Sequence, residues 1–178
     1  GIGQLWRTTH DIISVFSGTI HWGALGIVEI IDQNAELYKY SGPGHWNDPD
    51  MLQVGNPGLS MEENRSHFTM WCMLAAPLMA GNDIRKMEVA KILMNKEVIA
   101  VDQDRLGKQG RRYKVFGKNE IWVKQLSGDE IAVCLFNRDD HFLQSPNQKI
   151  PDRKTKCVIK THINIKQNVI FGAKLKPV

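Results

Sequence analysis

Residues 60–83 read SMEENRSHFTMWCMLAAPLMAGND, and the order of signals in this stretch decides the fold. Ser60-Met-Glu-Glu63 has the pattern of a capping box, in which a serine hydroxyl and a glutamate three residues later satisfy the free N–H groups of a helix start. Apolar residues then recur at helical spacing, with Phe68, Trp71, Cys72 and Ala75 on one face, which predicts a helix over 61–75. The run at 77–80 is short, apolar and bounded by proline and glycine, and reads as a buried strand. Directly beyond it stands a polar pair, Asn82-Asp83. Helix, buried strand, then polar residues at the strand's carboxyl end is the signature of βα units in a parallel sheet.

The same alternation extends back to the start of the chain. Residues 3–7 and the region of 45–47 read as strands, 19–33 (TIHWGALGIVEIIDQ) as a helix, and 89–101 as a last amphipathic helix. From about Gln103 the pattern changes to short alternating segments at 113–116, 120–125, 131–137, 157–160 and 168–171. Gly117-Lys-Asn119 and Ser127-Gly-Asp129 supply hairpin-type turns between them, so this part is expected to be antiparallel β. The division falls between residues 1–102 and 103–178. Charge follows it: 1–102 hold 7 Lys+Arg against 12 Asp+Glu, and 103–178 hold 16 against 7. The lysines of the second part are scattered, without stacked aromatics or a nucleic-acid motif, and read as a solvated basic surface rather than a nucleic-acid site.

With 178 residues, 42% of them apolar, the chain has material for one domain or one and a half. No apolar run reaches 18 residues, so no membrane span is expected, and the opening GIGQLWRTTHD lacks the features of a signal peptide. Beginning without methionine and inside what reads as a motif, it is taken as a truncation. Cys72, Cys134 and Cys157 make an odd number with no metal-ligand spacing, and are expected as buried free thiols. The sequon Asn64-Arg-Ser66 falls inside a predicted helix and is expected to be unused.

Three polar clusters stand just beyond predicted strands: Arg7 with Asp11, Asn47 with Asp48 and Asp50, and Asn82 with Asp83. In a βα barrel the carboxyl ends of the strands face one mouth, so the clusters converge. Carboxylates, an arginine and the indoles of Trp6 and Trp46 around one mouth suit a sugar, and a protonated carboxyl there serves as a donor to a glycosidic oxygen. Each cluster has an equally serviceable local reading. Asp11 and Asn82-Asp83 would cap the helices that follow, Asp48-Pro-Asp50 would form a turn, and Trp46 would be packing.

Four longer stretches bear on that choice: Trp6-Arg-Thr-Thr-His-Asp-Ile12, Gly42-Pro-Gly-His-Trp-Asn-Asp-Pro-Asp-Met-Leu52, Ala76-Pro-Leu-Met-Ala-Gly-Asn-Asp-Ile-Arg85 and Asn95-Lys-Glu-Val-Ile-Ala-Val-Asp-Gln-Asp104. In this order they closely resemble the glycoside hydrolase family 27 α-galactosidases, relatives of the α-N-acetylgalactosaminidases. The resemblance implies the C-terminal portion of a (β/α)8 barrel, from its sixth strand onward, followed by an antiparallel β-sandwich. It implies hydrolysis of terminal α-linked galactose with retention, without metal or redox cofactor, in a secreted or lysosomal protein. Asp11 matches the general acid/base, Arg7 the arginine lying against the sugar, and Asp50 and Met51 the lining of the galactose pocket. Asp48, Asn82 and Asp83 look like scaffolding of the mouth. The nucleophile, an aspartate ending the fourth strand in this family, has no counterpart in these residues.

Two departures accompany the resemblance: the stretch after Arg85-Lys-Met87 is about two residues short, and from Pro146 onward the family's ending is not recognisable. A non-catalytic carbohydrate-binding module and an α-N-acetylgalactosaminidase are the alternatives. The residues that separate the two enzymes come, in this family, from the loop after the fifth strand.

Overall fold

The computed structural model describes residues 3–85, 89–139 and 157–160, the last four by their backbone alone. Strand β1 (Leu5–Arg7) pairs in parallel with β2 (Trp46–Asp48), setting Leu5 opposite Trp46 and Arg7 opposite Asp48. A parallel bridge between Leu52 and Ala80 adds the place of a third strand. It is a single contact, so the expected strand at 77–80 is reduced to a point.

The helix expected over 19–33 is shorter: α1 spans Ile27–Asn34. Gly18 and Gly23 adopt positive φ, and Leu25 takes part in two isolated bridges, so residues 19–25 are a loop laid against Ile12. Helix α2 (Met61–Met73) starts as the sequence indicates. Ser60 Oγ accepts from the Glu63 N–H, and Glu63 Oε2 accepts from the Ser60 N–H. It ends where Ala75 turns into the left-handed region. The expected helix over 89–101 is two pieces, α3 (Ala90–Leu93) and α4 (Lys96–Asp102), because the Asn95 side chain accepts from the N–H groups of Glu97 and Val98 and starts a new helix.

Strands β3 (Arg111–Phe116), β4 (Asn119–Gln125), β5 (Ile131–Asn137) and β6 (Cys157–Lys160) form an antiparallel sheet in that order. The expected strand at 168–171 lies outside the described residues. Both anticipated turns are present, with Gly117, Gly128 and Asp129 at positive φ as tight hairpins require.

Helix α2 joins the two parts. Its Phe68, Met70, Trp71, Cys72 and Met73 are buried in one core together with Ile27, Ile30 and Ile31 of α1 and Trp122, Cys134 and Phe136 of the sheet. The connection after α4 is tied on both sides. Asp104 accepts from the Ser127 N–H and hydroxyl, and the Gln109 amide links the Asn34 carbonyl to the Asn47 side chain.

Two charged clusters reinforce this junction and draw Arg112, Lys124 and Arg138 out of the expected solvated basic surface, on which Arg105, Lys108, Arg111, Lys114 and Lys118 are exposed. Arg138 forms two hydrogen bonds to Asp32 of α1, and Arg112 pairs with the same carboxylate. Both arginines also pair with the buried Glu120. Burial works to raise the Asp32 carboxyl, but hydrogen bonds from Arg138 and Arg112 more than offset it and hold the group below its ordinary value. Deeper in, Lys124 is 1% exposed and donates from Nζ to the Cys72 carbonyl near the end of α2. Burial lowers the Lys124 ammonium to about 8, against the opposing pull of Asp102, Cys72 and Asp104. Burial likewise raises Asp102 to about 6, with Lys124 and the Gln103 amide opposing.

Cys72 is a buried free thiol, as expected, whereas Cys134 is disulfide-bonded. The sequence alone does not tell the free thiol from the bonded one. Asn64 is buried, donates to the Leu59 and Ser60 carbonyls and accepts from the Gly55 N–H, so in this fold its amide is not presented for glycosylation.

Candidate active site

The site begins at the carboxyl end of β1. The Thr8 N–H continues the parallel ladder to the Asp48 carbonyl, and the Thr8 hydroxyl bonds Asn34 of α1, fixing the strand end against the helix. Four residues beyond Arg7, Asp11 sits in a loop held by its backbone: its carbonyl accepts from the Leu25 N–H, and Ile13 N–H donates back to Leu25. No helix begins there, since α1 starts only at Ile27 with Gly26 as its cap residue. Asp11 therefore caps nothing. Its side chain is 69% exposed, with Arg7 Nη2 3.2 Å from Oδ1.

Arg7 Nη2 also lies 2.8 Å from Asp50 Oδ2. One guanidinium thus stands between an exposed carboxylate and a buried one. Asp50 has a φ of +79°, a conformation that L residues other than glycine rarely adopt. Four hydrogen bonds hold it there. Its N–H donates to Asp48 Oδ1 and its carbonyl accepts from Trp71 Nε1. Its carboxylate accepts from Met51 N–H through Oδ1 and from Ile12 N–H through Oδ2. The Ile12 N–H belongs to the residue next to Asp11, so two strand ends are fastened together beside the exposed carboxylate.

Arg7, Asp11 and Asp50 are thus directly joined, and Met51 follows Asp50 with its side chain partly exposed. Met51 lies against the end of the third segment, where a Cβ on Gly81 would come within 2.6 Å of its Sδ. The local reading of Asp48-Pro-Asp50 as a turn is also met, because Asp48 caps the Asp50 N–H; turn and site coincide. Among the described residues, no helix starts at Asn82-Asp83. Asp83 accepts from Arg85 N–H and pairs with its guanidinium, while α3 starts only at Ala90.

The indoles fall away from this group. Trp6 donates from Nε1 to Asn47 and stacks on His45 with ring centres 6.4 Å apart. Trp46 packs against the backbone at Gly107. Trp71 reaches this group through its N–H, a contact the sequence does not signal, because its helical spacing announces core and nothing announces where its N–H points. Among the described residues no group of His, Cys, Asp and Glu side chains stands together in a way that would hold a metal ion.

Parallel strands with a polar mouth at their carboxyl ends, followed by an antiparallel sheet packed on a shared helix, define the C-terminal portion of a βα barrel with an appended β domain. The chain belongs to the alpha-galactosidase A family: residues 2–104 match the model described as Alpha galactosidase A, and residues 107–169 that of its C-terminal beta sandwich domain. The second match runs well past Pro146, where the sequence reading had found no family ending.

The chain is 44% identical over 144 residues to Alpha-galactosidase A of Cellvibrio japonicus, covering 78% of this chain and 35% of that protein. It is 40% identical over 141 residues to Alpha-N-acetylgalactosaminidase of Gallus gallus, covering 77% and 34%. Among solved structures, alpha-galactosidase I from Mortierella vinacea superposes with a TM-score of 0.73 at 33% identity, covering 78% of this chain and 38% of that one. The chain therefore spans about a third of the length of these curated relatives.

Proposed function

We propose that the full-length protein carrying this chain is a retaining glycoside hydrolase that releases terminal α-linked galactose, with Asp11 as its general acid/base. The observation that carries the reading is the placement of Asp11: an exposed carboxyl at the end of a parallel strand, capping no helix and 3.2 Å from Arg7. Residues 1–102 contribute the barrel portion and 103–178 the sandwich. Arg7, Asp50 and Met51 line the sugar pocket, Arg7 and Asp50 as a charged pair to which sugar hydroxyls hydrogen-bond, Met51 as an apolar contact.

In the first half-reaction the Asp11 carboxyl donates its proton to the departing glycosidic oxygen while a nucleophilic carboxylate takes the anomeric carbon. In the second, the Asp11 carboxylate takes a proton from the water that releases the sugar. A retaining pair needs two carboxyls about 5–5.5 Å apart. The second, in this reading, comes from the barrel portion that the relatives possess outside the region matched here, so turnover belongs to the full-length protein. The avian α-N-acetylgalactosaminidase relative supports a second reading, in which the sugar carries a 2-acetamido group.

The test is proton NMR of an α-galactoside and an α-N-acetylgalactosaminide digested by the full-length protein. The expected result is faster release from the galactoside, with the α-anomer of the free sugar appearing first. Initial β-anomer would overturn retention, and preference for the acetamido sugar would replace the first substrate by the second.

A further inference from the structure

We infer that Trp71 is a positioning residue of the acid/base apparatus, its indole N–H fixing the Asp50 backbone that aims the Asp50 carboxylate at Arg7 and at the peptide beside Asp11. The inference rests on the hydrolase reading above and adds to it a residue of helix α2, buried in the shared core. Trp71 is fully buried in α2, and Nε1 lies 2.8 Å from the Asp50 carbonyl. Its ring meets His67 edge-on, with centres 4.1 Å apart. His67 is itself anchored: burial holds its imidazole neutral, down to about 3, and Nε2 accepts from the Gln53 N–H. The indole is wedged between an anchored ring and a strand end, and has no freedom to follow Asp50 if that backbone moves.

Asp50 has reason to move. A left-handed aspartate costs of order 1 kcal/mol and persists only where its surroundings over-determine it. Loss of the indole N–H leaves the carbonyl buried without a donor, and rotation about the N–Cα and Cα–C bonds of Asp50 relieves both costs at once. That rotation swings the carboxylate away from Arg7 Nη2, at 2.8 Å, and from the Ile12 N–H, at 2.9 Å. Both are the direct neighbours of Asp11, so the acid loses its fixed place although no residue that touches the substrate has been substituted.

Leaving-group chemistry separates this role from mere packing. A 2,4-dinitrophenolate departs without a proton, whereas an alkoxide does not, so kcat/KM on methyl α-galactoside depends on a well-placed acid and kcat/KM on the dinitrophenyl α-galactoside hardly does. The experiment compares Trp71→Phe in the full-length protein with an isosteric variant carrying 3-benzothienylalanine at position 71, in which sulfur replaces the N–H and the ring keeps its shape. The second variant keeps the test open should the first fail to fold. The expected result is a loss in kcat/KM about 10-fold larger on the methyl than on the dinitrophenyl substrate. Equal losses on both substrates, or no loss, overturn the inference while leaving the hydrolase reading intact. A wild-type protein inactive on both overturns that reading, and the inference with it.

Discussion

Asp11→Ala in the full-length protein is expected to lower kcat/KM on an alkyl α-galactoside by roughly 10²–10⁴-fold, the usual contribution of a positioned general acid. On a dinitrophenyl α-galactoside the same variant should lose far less in kcat/KM, since that leaving group needs no proton, while kcat falls because release of the sugar still needs a base. Folding should be little affected. The carboxyl is largely exposed and its partner Arg7 retains Asp50 at 2.8 Å, whereas the backbone bonds that hold the loop are made by peptide groups that alanine keeps. Steady-state kinetics on the two substrates check this. Comparable kcat/KM losses on both would assign Asp11 to binding rather than proton transfer.

The second large effect is one of stability. In Lys124→Met the ammonium is removed from beside Asp102, and the Cys72 carbonyl loses its donor. The Asp102 carboxyl is raised in the folded state, so the stability it contributes is fully present below its unfolded value near 3.8 and is lost as pH rises through about 6. Lys124 has the opposite displacement: lowered to about 8 from 10.5, it burdens the fold below about 8, and that burden disappears as pH rises through 10.5.

At pH 5 the variant loses a hydrogen bond and sheds a buried charge beside a protonated Asp102, and the two changes nearly cancel. Between about pH 6 and pH 8 it retains an ionising Asp102 with no cation to oppose burial. Its deficit against the wild type therefore grows with pH, by about 1.4 kcal/mol for each unit that the Asp102 pKa rises. Urea unfolding of both proteins at pH 5 and pH 8 measures the difference. A deficit independent of pH would show that Asp102 and Lys124 do not sense each other.

Where the sequence carried a stereochemical rule, it could be read. The capping box at Ser60 located the start of α2, and its apolar spacing identified the buried Phe68, Trp71 and Cys72. The two hairpin turns placed β3, β4 and β5 close to their observed limits. Where two signals competed, periodicity misled: 19–33 is apolar at helical spacing, yet Gly18 and Gly23 take positive φ and confine the helix to its second half. Asn95 is in the same position, a residue tolerated inside a helix that here caps a new one. At the site, residue types placed Arg7, Asp11 and Asp50 beyond strands but read equally well as caps and turns, and only the resemblance of four longer stretches to a known family set them apart. The left-handed backbone of Asp50 and the aim of the Trp71 N–H are products of packing between segments distant in sequence, and no local pattern encodes them.

The charge asymmetry shows the same division. Its sign change marked the boundary between two parts, but only the folded chain shows that Arg112 and Arg138 of the basic part close on Asp32 of the acidic one. Those pairs, with the shared core on α2, couple the sheet to the helices behind the site.

Azide rescue of Asp11→Ala tests most directly whether Asp11 is the acid/base of a double displacement. With the dinitrophenyl α-galactoside, which needs no acid to form it, the glycosyl-enzyme accumulates when water cannot be activated, and azide, a small anion that needs no general base, attacks it. Two successive inversions at the anomeric carbon predict recovery of turnover with α-galactosyl azide as the product. The β-azide would identify Asp11 as the nucleophile, and absence of any rescue would contradict its role as the base.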